Sequence, residues 1–191
     1  MTTSFGSRKE RSGIMPILYL SMRRDRLEKS ETRNKDARAS WGRIAAQVLL
    51  AGLAGAVLLD CYLFVTKLLP HGNGIVGMWQ WIASTVLGKS ALANPGSAAV
   101  GAALHLLVSI GWAAGYVYIA VNHPASTRRW FVAGIVYGLI VYTIMQVILL
   151  ADGNFIYPPT PNAFVNDLIA HALFFGVPVA LVVRALQPRR T

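Results

Sequence analysis

Titratable and hydrogen-bonding side chains recur inside segments that are otherwise almost entirely apolar. The segment "GAALHLLVSIGWAAGYVYIA" contains His105 and Ser109, and the segment "NDLIAHALFFG" contains Asp167 and His171. A strongly polar group costs about 3 kcal/mol at the centre of a membrane helix, so each of these residues requires a partner or a function. Because histidine exchanges a proton near neutral pH, these residue types predict a site that binds or relays a proton, an ion or a small solute.

The apolar segments that must position these residues have the length of membrane spans, for which a helix needs about 20 residues. Of the 191 residues, 54% are hydrophobic and only 14% are charged. A soluble domain has about a quarter charged residues. The apolar runs are continuous rather than alternating, which favours helices over a membrane barrel. The sequence therefore predicts an all-α polytopic membrane protein, a four-helix transmembrane bundle with spans at about 44–65, 98–121, 130–150 and 164–183.

The positive charge is concentrated on one side of the predicted spans. The net charge is +10, and 16 of the 18 lysines and arginines lie before span one, between spans two and three, or after span four. Only Lys67 and Lys89 fall on the other side. This positive-inside pattern predicts cytoplasmic N and C termini, with outer loops at 66–97 and 151–163. It favours attraction to anionic lipid headgroups over binding to nucleic acid.

The segments outside the spans predict three parts of the chain. Residues 1–43 are a basic cytoplasmic arm, partly disordered or a solvated helix, followed by a membrane domain at 44–187 and a cytoplasmic tail at 188–191. In the first outer loop, "GIVGMWQWIASTVLGK" is too short to span, and its paired tryptophans predict a short interfacial helix. In the second outer loop, "YPPTPN" predicts a stiff backbone. Three methionines are alternative starts of the chain: Met1, Met15 and Met22.

The polar residues of the four spans lie at similar predicted depths. At about 1.5 Å per residue, His105 and His171 are each about 10 Å below the outer surface, with Asp60 about 8 Å and Gln146 about 6 Å below it. The spans therefore predict one polar layer, a pocket open to the outside and roofed by the tryptophan helix and the proline loop. The predicted residues that bind a ligand or a proton are His105, His171, Asp167, Asp60, Gln146 and Ser109.

Simpler interpretations of the same residues remain open. A histidine or glutamine in a membrane helix commonly hydrogen-bonds a neighbouring helix, and the two aspartates have the alternative of reaching towards the membrane interface. On span four, Asp167 and His171 are one turn apart, so we expect them to lie one above the other on the same face.

Small residues predict where the helices pack. Gly111 and Gly115 are one turn apart on span two, and Gly134 and Gly138 are one turn apart on span three. A glycine lets two backbones approach closely, which matters because lipid provides no hydrophobic force between helices. Pro178 predicts a kink in span four, since proline cannot donate a backbone hydrogen bond.

The functional alternatives differ in whether a cofactor takes part. Two imidazoles at one level on facing helices suit haem b, for which spans two and four would be diagonal in the bundle. A metal ion bound by His105 and His171 is a second alternative. Because the sequence has no nucleophile–base arrangement and no phosphate loop, we expect a protein that is not an enzyme and has no cofactor. Another alternative is an accessory subunit that packs against a membrane-protein partner or a second copy of itself.

An ordered set of motifs marks the second half of the chain, over roughly residues 98–187. Its most specific elements are His105 with Ser109, Gly115 with Tyr116, and His171 before an aromatic stretch. This order resembles the YagU-like family of bacterial inner-membrane proteins, which carries histidines at both of these positions. The resemblance implies four spans and an inner-membrane location, and it implies no reaction.

Overall fold

The computed structural model describes residues 14–71, 74–151, 153 and 160–187. These residues form helices and no strand. The predicted proline loop falls largely on undescribed residues, as do the predicted tail at 188–191 and the first 13 residues of the predicted arm. The helices in chain order are α1 Ile14–Leu63, a π-helical segment Phe64–Leu68, a 3-10 turn Leu69–His71, α2 Ile75–Leu87, a 3-10 turn Lys89–Ala93, α3 Ser97–Asn122, α4 Pro124–Arg128, α5 Trp130–Ala151, α6 Pro161–Ile169, a π-helical segment Ala170–Gly176, and α7 Val177–Leu186.

Four helical stretches are long and apolar enough to cross a membrane, which confirms the all-α, four-span prediction. The chain is therefore a membrane protein with a helical bundle. The spans run slightly beyond the predicted bounds, except at the start of span three, since helical residues at the interface are less apolar than those in the core. Their bounds are Ala39–Leu68, Ser97–Asn122, Trp130–Ala151 and Pro161–Leu186.

The chain divides into two compact units, residues 1–43 and 44–191. In the first unit, residues from Ile14 onward are helical. The second unit contains α2 to α7 and the last part of α1. All the contacts described below lie within this second unit.

Span four packs through glycines against span three. A Cβ added at Gly138 would lie 2.1 Å from the carbonyl oxygen of His171, and one added at Gly134 would lie 2.8 Å from that of Gly176. Such distances show direct contact between the two backbones. The two glycines predicted on span three therefore lie at a helix–helix contact, where any side chain would separate the helices.

The glycines predicted on span two behave differently. A Cβ added at Gly111 would meet nothing within 4 Å among the described residues, so no other described helix packs against Gly111. Gly111 lies on an exposed face of α3. A Cβ at Gly115 would meet the hydroxyl of Tyr137 at 2.9 Å. That hydroxyl donates a hydrogen bond to the backbone carbonyl of Trp112, so Gly115 makes room for a side chain rather than for a backbone.

The short helix α2 packs extensively against α3, and Gly101 in the first half of α3 lies at the contact. At the contact, Gly101 faces the backbone of Trp79 so closely that an added Cβ would overlap its carbonyl group. Ala83, one turn further along α2, is fully buried. The predicted helix therefore exists over 13 residues, and its packing against α3 was not predicted.

The neighbours of α3 also differ from a simple up-and-down bundle. α3 packs against α7, so spans two and four are in contact rather than diagonal. No close backbone packing joins α3 to α5. At the end of the bundle that carries α4, the rings of Tyr116 and Tyr137 fill the space between α3 and α5, with centroids 5.1 Å apart. At the end that carries α2, the same space is open.

Candidate functional site

A cavity of about 1030 Å³ occupies the open space between α2, α3 and α5. Parts of α1 and of span four complete its walls. All six of the predicted ligand- or proton-binding residues lie on these walls: Asp60, His105, Ser109, Gln146, Asp167 and His171. The structure thus brings together side chains from four different spans.

Asp60 of α1 and His105 of α3 form one acid–base pair on the wall. The Oδ1 atom of Asp60 lies 3.1 Å from Nε2 of His105. Both atoms are buried, and neither forms a hydrogen bond with any described group. The two atoms therefore lie within ion-pair distance, but no N–H is aligned between them. The pair is set by backbone proximity, because α1 and α3 touch where Gly52 faces Ile110. Gly101, one turn before His105, is likewise held against α2.

A second acid–base pair joins α6 to the π-helical end of span one. Nζ of Lys67 lies 2.5 Å from Oδ1 of Asp167. Asp167 and His171 were expected to lie one above the other on the same face. They are in contact, but through the backbone of Asp167: Nδ1 of His171 lies 2.9 Å from its carbonyl oxygen. The carboxylate itself turns to Lys67, since an ammonium group compensates a charge in low dielectric better than a neutral imidazole does.

Lys67 was not among the predicted site residues. It follows Asp60 by seven residues, which places both on one face of span one, and it is one of two lysines on the predicted outer side. That spacing is the signal that could have identified it. The prediction placed Lys67 in an outer loop and overlooked that its long side chain can reach a carboxylate on a neighbouring span.

Two of the charged or titratable wall residues lie in π-helical segments. Lys67 lies in Phe64–Leu68, and His171 lies in Ala170–Gly176. Single turns of π-helix occur frequently at functional sites, because the wider turn redirects side chains. The second segment ends just before Pro178, and the N–H of Val177 donates to the carbonyl of Ala172. The irregularity predicted at Pro178 is therefore a change of helical register in the turn before it.

Aromatic and amide side chains hold the wall around these pairs. The ring of Tyr142 packs edge-on against His171, with centroids 5.1 Å apart. The Tyr62 hydroxyl donates to Oδ1 of Asn166 at 2.8 Å, and Nδ2 of Asn166 donates to the Thr66 hydroxyl at 3.2 Å. These bonds tie span one to the start of span four. Tyr142 and Tyr62 were not among the predicted site residues, since an aromatic residue in a span is first expected to face lipid or to pack in the core.

Most of the remaining wall is apolar. Side chains from α1, α2, α3 and α5 contribute aliphatic, methionine and indole groups, among them Leu59, Leu63, Met78, Trp81, Leu104, Trp112 and Met145. Ser109 is buried, and Gln146 is partly buried on α5. The site therefore combines a large apolar volume with a few paired polar groups.

The described residues contain no group of three or more histidine, cysteine, aspartate or glutamate side chains that could hold a metal ion. The reason is visible in the geometry, because each carboxylate already faces a different basic partner. His105 and His171 line the same cavity, so haem b and a two-histidine metal site stay predictions. Cys61, the single cysteine of the chain, is exposed.

Comparison with known proteins adds no relationship: no family model, no curated protein and no solved structure matches the chain.

Proposed function

We propose that this chain is a membrane protein that binds a small solute in the cavity between α2, α3 and α5. One observation supports the proposal above all: six polar residues from four spans line one cavity of about 1030 Å³. A single water molecule occupies about 30 Å³ of liquid, so the volume suits a solute rather than a bare ion or a proton alone. The protein would act as a binding or transport component without enzymatic activity and without a resident cofactor.

The buried acid–base pair supports a role for proton exchange in that binding. Asp60 and His105 face each other with no other hydrogen-bond partner among the described groups. A solute that enters beside them changes their surroundings, and histidine is the side chain that changes charge near neutral pH. Uptake of a solute and of a proton would then be linked at one place.

The location is proposed to be the bacterial inner membrane, with both termini in the cytoplasm. The distribution of lysine and arginine supports this orientation. The resemblance of the second half to YagU-like proteins supports the choice of membrane. A fluorescent-protein fusion at the C terminus should fluoresce, whereas an alkaline phosphatase fusion there should be inactive; the opposite pair of results would contradict the orientation.

Native mass spectrometry after extraction in mild detergent tests solute binding. Gly77 lines the cavity, and a Cβ added there meets nothing within 4 Å, so Gly77→Phe places a ring at the wall without a backbone clash. Gly111→Phe is the matched control, since Gly111 is also unobstructed but does not line the cavity. We expect the parent and Gly111→Phe to retain a bound molecule that Gly77→Phe has lost. A parent without any bound mass, or equal occupancy in all three proteins, would contradict the proposal.

The same preparations address the cofactor alternatives. An absorbance band near that of protein-bound haem, or stoichiometric metal that disappears in His105→Leu and His171→Leu, would replace the proposal by a cofactor-binding function. A colourless and metal-free protein with a bound organic molecule is the expected result.

A further inference from the structure

We propose that the solute is a lipid-soluble amphiphile with a flexible apolar body and an uncharged head that can hydrogen-bond. This inference rests on the proposed function and specifies the chemical class of its ligand. The class follows from three features of the cavity: the composition of its walls, the residues at its mouth, and the pairing of its charges.

The walls suit a flexible apolar body. Cavities that bind small molecules commonly have volumes of about 300–1,000 Å³, and this one lies at the upper end. Two methionines, Met78 on α2 and Met145 on α5, line it from opposite sides of the open space. Methionine adapts its shape to irregular apolar partners more readily than branched side chains do. A hydrophilic solute of this size would place water or its own polar atoms in contact with the methionine side chains.

The mouth of the cavity is apolar and lies on the lipid side of the bundle. Four lining residues are strongly exposed and therefore mark its rim: Val86 at 67%, Ile148 at 50%, Val76 at 46% and Val108 at 41% exposure. Val108 and Ile148 belong to membrane spans. Because α3 and α5 lack close backbone packing, the gap between them opens sideways. A solute that enters there passes exposed aliphatic side chains, as a molecule dissolved in the bilayer would.

The charges inside the cavity favour an uncharged head. Asp60 faces His105, and Asp167 faces Lys67, so each carboxylate already has a basic partner. A carboxylate or ammonium head would bring a charge that must compete for these partners in a low dielectric. A hydroxyl or carbonyl head avoids that cost. Gln80 and Gln146 also line the cavity, and an amide both donates and accepts hydrogen bonds.

Quenching of tryptophan fluorescence tests the inference directly, because Trp81 and Trp112 line the cavity. The probe is dibrominated stearyl alcohol, titrated at neutral pH into full-length protein in detergent, with the dibrominated acid and amine of the same chain as comparisons. Quenching that is saturable in the parent and in Gly111→Phe but absent in Gly77→Phe is assigned to the cavity. Met145→Phe fills the cavity from α5 and serves as a second blocking variant.

We expect saturable quenching by the alcohol that is reduced in Trp81→Phe, with binding of the acid and of the amine about tenfold weaker because each adds one unpaired charge. Equal or tighter binding of the acid or amine would overturn the uncharged head and leave solute binding in place. A different pair of results would assign a water-soluble solute instead. In that case the brominated probes give no saturable quenching, but acrylamide quenches the cavity tryptophans to an extent that Gly77→Phe changes. Absence of all saturable quenching together with an empty parent in mass spectrometry would remove the proposed function itself.

Discussion

The two ends of the four-span unit are built in opposite ways. At the end that carries α4, Tyr116 and Val183 are almost completely buried, and span three meets span four backbone to backbone at Gly134. At the end that carries α2, a cavity of about 1030 Å³ separates α3 from α5, and two acid–base pairs face it. One end is closed by glycine contacts and tyrosine rings, and the other is open and contains the paired polar groups.

This difference shows how a small membrane bundle can keep a cavity. Lipid provides no hydrophobic force between helices, so stability depends on close packing and on hydrogen bonds. Where glycines let the backbones touch, packing is dense enough to hold the bundle. The other end can then remain open, provided that its polar groups compensate one another in pairs. The variants below change one end at a time.

The largest effect is expected from a side chain added at the closed end. A Cβ at Gly176 would lie 2.1 Å from the carbonyl oxygen of Gly134 and 2.7 Å from the backbone nitrogen of Gly138. Backbone atoms cannot move aside as a flexible side chain can, so Gly176→Ala should destabilise the protein by about 3 kcal/mol. Unfolding in detergent, followed by circular dichroism, measures this change. Gly111→Ala is the control and should unfold like the parent, since nothing lies within 4 Å of an added Cβ there; similar stability of the two variants would disprove the backbone contact.

An intermediate effect is expected at the open end. Asp60→Leu leaves His105 without its acidic partner, and the cost should be about 1–3 kcal/mol, as for other buried polar groups deprived of a partner. Replacing both residues by leucine removes the unpaired group, so Asp60→Leu/His105→Leu should recover most of the loss. A double-mutant cycle of unfolding free energies measures the coupling. Additive losses would show that the two side chains do not interact.

The smallest effect is expected from one hydroxyl group at the closed end. Tyr137→Phe removes the hydrogen bond to the Trp112 carbonyl and should cost about 1 kcal/mol. Tyr118→Phe is the matched control, because Tyr118 is 72% exposed and should tolerate the change without loss of stability. If both variants unfold together with the parent, the hydrogen bond contributes nothing to the closed end.

That the polar residues of the four spans share one wall could be predicted, because position along a span depends on chain count alone. Once a continuous apolar run is assigned as a helix that crosses the membrane, the rise per residue places His105, His171, Asp60 and Gln146 at comparable levels. The structure accordingly finds them on one cavity wall. The same local rule predicted the short helix that became α2, since its length and its apolar side chains are properties of its own residues.

The partner of each residue was decided by the tertiary structure. Which side chains meet depends on the rotation of each helix and on its neighbours, and these follow from backbone contacts such as Gly101 with Trp79 and Gly52 with Ile110. No local pattern predicts that Asp167 turns to Lys67 rather than to His171, or that Gly111 faces outward. The π-helical turns that carry Lys67 and His171 arise in the same way, because a helix departs from the α-helical register only where tertiary packing supports the wider turn. The length of each span and the position of a polar residue along it therefore follow from the sequence of each segment, whereas pairing and cavity shape require all four spans at once.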